Sequence, residues 1–416
     1  MADEGGNEEH VVKSNASIFE ELCFLVWGPN VKEEVFRRWT QGFVFSPDES
    51  SALVQEQGGP CAVIASVQAY ILKNMLFCDG VIVSSTSNWR QLTGKRTCKY
   101  HKSVCNQELH HQTNKEICSL LSQVECNSVS EARSLIERNL HIFEGRFGVL
   151  LFLYSMILTR GINLIKIEMS DPGEPLVDEN FGYGSQTLIN LLMTGQAVSN
   201  VWNLSKALGG LELKGIPKQS QIGFLTVLEA HRYCEVGSFL KCPIYPVWLL
   251  GSETHITVLF SIDSSLTGLE SPKEEAQRVF KSFDEQENGF IESDKLGDVL
   301  DSLGLETDPE YITFMKTRLD PDSIGVILLP NFMDEFFPGE SIQPLWTDPF
   351  IVYHYNGLGI KNDMLPSKKV VYIEGMASIE PTDNSHIAEE EIITCLKTKW
   401  SGISVTWQSR YPPSLN

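Results

Sequence analysis

The stretch Val54-Gln55-Glu56-Gln57-Gly58-Gly59-Pro60-Cys61-Ala62-Val63-Ile64-Ala65 brings together residue types that can do covalent chemistry. A polar turn with two glycines runs into Pro60, and Val63, Ile64, Val67, Tyr70 and Ile71 follow at the spacing of a buried helical stripe. Proline suits the first helical position, where its missing N–H costs nothing, so Cys61 is expected in the first turn of a largely buried helix. Free backbone N–H groups and the positive dipole end there favour a thiolate over a thiol. Gly58 and Gly59 let backbone, or a narrow substrate, approach without a Cβ in the way. Gln55 lies six residues upstream, where its amide can return beside the sulfur and donate to a developing oxyanion. A free cysteine on an apolar helix most often just packs. The glycine turn and Gln55 mark this one as a candidate hydrolase nucleophile.

A cysteine nucleophile needs a base, and the best candidate is remote in sequence. Tyr245 to Leu250 and His255 to Phe260 are apolar, β-rich runs separated by Gly251-Ser252-Glu253-Thr254, which reads as a hairpin with His255 at its mouth. One histidine at a strand start is ordinarily a polar residue beside a turn. Order raises its rank: a cysteine on an N-terminal helix with a histidine on a later sheet is the papain-like arrangement. The group that orients the imidazole is open between Asn356 or His354 on the next strand and Asp263 just past the histidine strand.

The elements that must position these groups are legible in outline. Ser17 to Trp27 is apolar enough for a core, and a helix is expected over 29–42 with Val31, Val35, Phe36 and Trp39 on one side. The Cys61 helix is expected to end near Phe77. Further helices are expected over 128–139 (inner face Ala132, Leu135, Ile136 and Leu140), 147–158, 185–193 and 388–400. Strands are expected over 162–167, 349–355, 370–373 and 403–407. Residues 84–112 read as a polar loop. Cys98, His101, Cys105, His110 and Cys118 fit no zinc template, and no metal is expected there.

Between the His255 strand and the 349–355 strand the sequence changes character. Glu275, Val279 and Phe283 lead at helical spacing into Asp284–Lys295, which matches an EF-hand loop with Asp first, Asn fifth, Gly sixth and Ile eighth. A poorer loop starts at Asp320-Pro321-Asp322, with Gly325 sixth. Calcium chemistry fails in both. Lys295 stands twelfth, where a bidentate carboxylate is needed, and Gln286 third; Leu328 and Asn331 stand ninth and twelfth in the second loop. A structural, all-α EF-hand-like pair is expected.

A chain of 416 residues, 42% hydrophobic and 21% charged, suits a large globular domain with an insertion. Lys and Arg number 33 against 54 Asp and Glu, a net charge of −21, which argues against a nucleic-acid binder with a basic face and suits a basic or neutral partner. The first residues are polar and acidic, without a signal peptide, and the ten scattered cysteines are expected to be free thiols of a reducing compartment. The longest apolar run, Val149 to Leu158, is too short to span a bilayer. An intracellular protein of cytoplasm, nucleus or both is expected, with no cofactor and no membrane partner.

Three motifs in order resemble the MINDY deubiquitinases: Gln55-x-x-Gly58-Gly59-Pro60-Cys61, Leu191-Leu192-Met193-Thr194-Gly195-Gln196-Ala197-Val198, and Ser252-Glu253-Thr254-His255-x-Thr257-Val258-Leu259-Phe260. The insertion after the histidine strand is similar to that of one branch of the family, and the likeness covers nearly the whole chain from about residue 15. The resemblance implies an α+β fold. A papain-like cysteine protease core, a helical part plus an antiparallel sheet, would occupy 17–268 and 341–416, with the EF-hand-like insertion over 269–340 and a disordered 1–16. It implies a deubiquitinase that hydrolyses isopeptide bonds in polyubiquitin, in long lysine-48-type chains that mark proteins for proteasomal degradation. Cys61 would be nucleophile, His255 general base and Gln55 the oxyanion-hole side chain, with Gly58 and Gly59 lining a channel for a Gly-Gly tail. Ubiquitin and polyubiquitin are the implied partners. No Ala-rich ubiquitin-interacting helix with a leading acidic run is visible, so chain binding would fall to the catalytic domain. The rivals are a ubiquitin-binding adaptor without activity and a calcium sensor, the latter opposed by Lys295.

Overall fold

The computed structural model describes residues 15–77, 121, 124, 126–208, 211–268, 272–284, 288–338, 348–359, 369–379, 390–400, 402–410 and 412–416. The chain forms two compact units, residues 1–267 with 348–416, and residues 268–347. The larger opens with α1 (Asn15–Trp27), α2 (Glu33–Trp39), a ribbon of β1 (Val44–Phe45) and β2 (Leu53–Val54), and the long helix α3 (Cys61–Phe77). Helices α4 (Val129–Arg138), α5 (Leu140–Glu144), α6 (Gly148–Arg160), α7 (Ile162–Glu168) and α8 (Gln186–Thr194) follow. The chain then turns to sheet through β3 (Lys206–Leu208), β4 (Leu211–Leu213), β5 (Gly223–Thr226), the short helices α9 (Val227–Ala230) and α10 (Ser238–Lys241), and the hairpin of β6 (Val247–Gly251) and β7 (Ile256–Phe260).

Residues 268–347 contribute α11 (Pro272–Phe283), β8 (Phe290–Glu292), α12 (Leu296–Ser302), α13 (Pro309–Leu319), β9 (Val326–Leu328) and α14 (Leu329–Phe336). The stretch expected to be all helical therefore carries a ribbon, in which Ile291 pairs with Ile327. Both isoleucines are buried, and pairing gives their backbone groups the partners that burial demands. The Asp284 carboxylate accepts from the backbone N–H of Asn288 at 3.1 Å and Gly289 at 2.7 Å. Asp320 does the same for Ile324 at 2.9 Å and Gly325 at 2.7 Å. The first carboxylate of each loop thus serves the loop's own backbone. Among the described residues no group of His, Cys, Asp and Glu is placed to hold a metal ion.

The larger unit resumes with β10 (Phe350–Tyr355), β11 (Ile373–Ile379), α15 (Glu391–Lys397) and β12 (Ile403–Trp407). Its main sheet has six strands in the order β12-β11-β10-β7-β6-β5. Pairing is antiparallel except between β5 and β6, which are parallel, so the sheet is mixed rather than antiparallel throughout. The physical reason is the crossover through α9 and α10, which returns the chain to the end from which β5 began. Tyr355 stands opposite Val258 and His354 opposite Leu259. That register brings the start of β7 and the end of β10 to the same end of the sheet.

Helix α3 is apolar over most of its surface because it lies between two cores, with Lys73 and Asn74 near its outer end. Val63 and Ile64 join Trp27, Trp39, Leu153 and Tyr154 of the helical part. Ala62, Ala65 and Ala69 meet Phe224, Leu249, Val258 and Tyr355 of the sheet, small side chains that let the helix lie close on the strands. Each fully buried Val, Ile or Leu here contributes roughly 1.5–3 kcal/mol. A break in α3 would therefore disturb both cores at once.

Several expectations need correction. Residues 162–167 form helix α7, not a strand: Ile162, Ile165 and Glu168 are buried while Leu164 and Ile167 are exposed, a period of three to four. Helix α4 buries none of its residues, although Ala132, Leu135 and Ile136 were expected to face inward. The strand expected over 370–373 begins only at Ile373 and runs to Ile379. It extends through Gly375 because Trp407 of β12 lies over that position, where a Cβ would meet its ring at 2.7 Å. Cys23 is disulfide-bonded, against the expectation of free thiols throughout, while Cys61, Cys126, Cys234, Cys242 and Cys395 are free. Such a pairing is set by which thiols the fold brings together, which composition does not specify. Residues 1–14 and the 84–112 stretch with Cys98, His101, Cys105 and His110 lie outside the described residues, as does Cys118.

Candidate active site

Helix α3 begins at Cys61, with Pro60 just ahead of it; the Pro60 carbonyl accepts from Val63 and Ile64 N–H at 3.0 Å each. The turn before it is held from behind. Gly59 has φ +131°, and a Cβ there would lie 3.0 Å from Trp39 Nε1, which donates to the Gly182 carbonyl at 2.9 Å. Gly58 is exposed, with open space where a side chain would be. Gln41, not singled out from sequence, clamps the turn: its Nε2 donates to Gln57 O at 3.2 Å and its Oε1 accepts from Glu56 N–H at 3.0 Å. A groove of about 530 Å³ opens beside Glu56 and Gln57, walled by Glu34, Arg37, Arg38 and Arg146.

The Cys61 thiol is buried and donates to the Gly59 carbonyl at 3.7 Å. Burial pushes it up to about 11, against the expected thiolate. The backbone N–H groups of Ile256, Ala62 and Cys61 itself pull in the other direction but less strongly. Removing an ion from water outweighs the attraction of a helix end. Ile256 is the residue after His255, so the first turn of α3 meets the mouth of the hairpin.

His255 is itself buried, and its Nε2 lies 2.9 Å from the Asn356 carbonyl. A carbonyl only accepts, so Nε2 carries the proton and Nδ1 keeps the lone pair. Burial lowers the His255 pKa, and the backbone and side chain of Asn356 offset part of that. The hairpin turn is tied by Ser252, whose N–H donates to His255 O at 3.0 Å and whose Oγ accepts from His255 N–H at 3.0 Å. Among the described residues no hydrogen bond joins thiol and imidazole.

Gln55 is held by the segment after β10. Its N–H donates to Gly357 O at 2.8 Å, and its carbonyl accepts from Gly359 N–H at 3.2 Å. Residues 356–359 are thus a junction from which both Gln55 and His255 hang. Sequence offered one signal for it, the turn-forming Asn356-Gly357 pair, and Gly357 has φ +84°. The Gln55 amide is buried and donates to Gln57 O at 2.9 Å. Upstream, Gln68 of α3 accepts from Leu53 N–H at 2.7 Å and donates to Ser51 O at 3.0 Å and Tyr372 Oη at 2.9 Å.

Of the three groups considered for orienting the imidazole, Asn356 touches it, through its carbonyl. His354 is fully buried, 3.0 Å from Thr257 Oγ1, and is pushed down to about 3 by burial and by the nearby His255. Asp263 caps Ser265 at 2.9 Å beyond the far end of β7. At ~3.3 Å per strand residue it lies on the order of 20 Å from the imidazole.

The chain matches the conserved domain described as deubiquitinating enzyme MINDY-3/4 over residues 25–105 and 97–287, a span that holds both Cys61 and His255. It belongs to the MINDY-3/4 family of deubiquitinating enzymes. Ubiquitin carboxyl-terminal hydrolase MINDY-3 of Homo sapiens is 41% identical over 454 residues, covering 96% of this chain and 100% of that protein. The protein of the same name in Danio rerio is 40% identical over 453 residues, covering 95% and 99%. The MINDY-3 homolog of Drosophila melanogaster is 38% identical over 467 residues, covering 95% of this chain and 82% of that protein. No solved structure matches the chain.

Proposed function

We propose that this protein is a cysteine-type deubiquitinase of the cell interior that hydrolyses isopeptide bonds in polyubiquitin, with lysine-48-type chains as its substrate. A papain-like core would carry the reaction and an EF-hand-like insertion would play a structural part. The single observation that carries the reading is the approach of the α3 start to the β7 start, where Cys61 and Ile256 share one buried cluster. His255, next to Ile256, has its Nε2 proton committed to Asn356, leaving Nδ1 as base.

Nδ1 of His255 takes the thiol proton, and the Cys61 sulfur attacks the carbonyl carbon of ubiquitin's terminal glycine. The oxyanion draws on the Cys61 N–H and the Gln55 Nε2, each such donor contributing about 3 kcal/mol. The imidazolium returns its proton to the leaving lysine nitrogen, and water, activated by the same ring, hydrolyses the thioester. Asn356 O orients the ring throughout and stabilises its charged form. Gly58 would leave room for the Gly-Gly tail.

At rest the thiol is engaged with Gly59 and the Gln55 amide with Gln57. Substrate binding would therefore have to shift the exposed Glu56–Gly58 turn to free the Gln55 amide, and proton transfer to His255 would release the thiol from Gly59. The same observations favour a second reading, a weak or inactive ubiquitin-binding adaptor. A gel assay on lysine-48-linked chains separates the two: the enzyme is expected to shorten them, and Cys61→Ala and His255→Ala to leave them intact. Full cleavage by either variant would overturn the proposal, and intact chains with the wild type would favour the adaptor.

A further inference from the structure

The mechanism above makes no use of residues 414–416, yet they reach both supports of the imidazole. Asn416 Oδ1 accepts from Ser252 Oγ at 2.6 Å and Thr254 Oγ1 at 2.9 Å, and its Nδ2 donates to Glu391 Oε2 at 2.8 Å. Ser252 Oγ in turn accepts from the N–H groups of Thr254 at 3.3 Å and His255 at 3.0 Å. On the other side the Ser414 carbonyl accepts from Asn356 Nδ2 at 2.8 Å, and Asn356 O receives the His255 Nε2 proton. Leu415, between the two contacts, is fully buried and pins the segment.

We infer that Ser414 and Asn416 are positioning residues that fix the direction and tautomer of His255 by clamping Asn356 and the Ser252–Thr254 turn together. The chemistry of the side chains sets the order of the relay. The Glu391 carboxylate accepts only, so it draws the Asn416 amide nitrogen and turns the amide oxygen to the two hydroxyls. With its single hydrogen committed to that oxygen, the Ser252 hydroxyl presents lone pairs to the His255 N–H. Without Asn416 the hydroxyl would turn to the His255 carbonyl, 3.2 Å away, and the turn would lose its tie to residues 414–416. Asn356 would keep its contact with Ser414, but the turn that carries His255 would no longer be fixed to the same segment, and the Nε2–Asn356 O contact would lose its alignment.

The inference rests on Cys61 and His255 being the reacting pair, and the test separates the two. In the full chain, Asn416→Ala is expected to lower kcat on lysine-48-linked chains on the order of tenfold, with KM within about twofold. The melting temperature should hold, since Asn416 is exposed. Nitrogen-15 spectra of the His255 ring should show the Nε2–H form giving way to a mixture of tautomers. Asn416→Asp sets a carboxylate against Glu391 and should also lose kcat; adding Glu391→Gln should restore it. Wild-type kcat and an unmixed tautomer in Asn416→Ala, with Cys61→Ala inactive, would overturn the positioning role alone. So would a loss of kcat that tracks a fall in melting temperature with the tautomer unchanged. An active Cys61→Ala would overturn the underlying pair instead.

Discussion

On the Cys61 sulfur two effects of opposite sign compete. The first-turn N–H groups and that of Ile256 favour the thiolate, while burial favours the thiol and wins, raising the group to about 11. His255 is lowered by burial, so the resting pair is neutral thiol and neutral imidazole rather than an ion pair. On the proposed mechanism the proton must then move as substrate arrives, when the Gln55 amide and the N–H groups would have an oxyanion to serve. Alkylation of Cys61 by iodoacetamide in the free protein should accordingly rise steadily from neutral pH towards about 11, without a plateau near neutrality. A plateau at neutral pH, followed by stopped-flow or mass spectrometry, would mean a preformed thiolate.

Elements, more than single side chains, bring these groups together. Helix α3 supplies Cys61 and, two turns on, Gln68, whose three hydrogen bonds fix the strand leading to Gln55. Gln68→Leu would leave Leu53 N–H, Ser51 O and Tyr372 Oη without this partner in a dry core. A loss of about 2–3 kcal/mol in urea unfolding is expected, with reduced activity as Gln55 loosens. A stability equal to the wild type would show that the clamp is dispensable. The hairpin of β6 and β7 was readable from sequence because two β-rich runs flank a short polar turn. Helix α8 was readable because Ser185 caps it and Gly195 ends it in the left-handed region. Helix α7 was not: its isoleucines carry strand propensity, and only tertiary packing picks out the spacing of Ile162, Ile165 and Glu168. Cys61, His255 and Gln55 stood out by type and order, whereas Gln41 acts through side-chain contacts to backbone that leave no motif, and the 356–359 junction shows in sequence only as the Asn356-Gly357 turn pair.

For the whole molecule the same buried groups set a pH window for stability. His354 titrates near 3 when folded against an ordinary 6.5, so its contribution is present above pH 6.5 and is lost as pH falls towards about 3. Cys61 is raised from 9.0 to about 11, so its contribution is present below pH 9 and is lost as pH rises towards about 11. Denaturant midpoints should therefore fall on both sides of a neutral optimum, and His354→Leu should flatten the acid side by up to a few kcal/mol. An unchanged acid slope in that variant would assign the loss to other groups. Among the described residues no single helix is long and apolar enough to cross a membrane. The most direct test of the central claim is reaction with ubiquitin bearing an electrophile at its C-terminus, with the adduct mapped by mass spectrometry. A single adduct on Cys61 is expected, absent in Cys61→Ala and formed on the order of a hundredfold more slowly in His255→Ala. No adduct with the wild type, or an adduct that survives in Cys61→Ala, would contradict it.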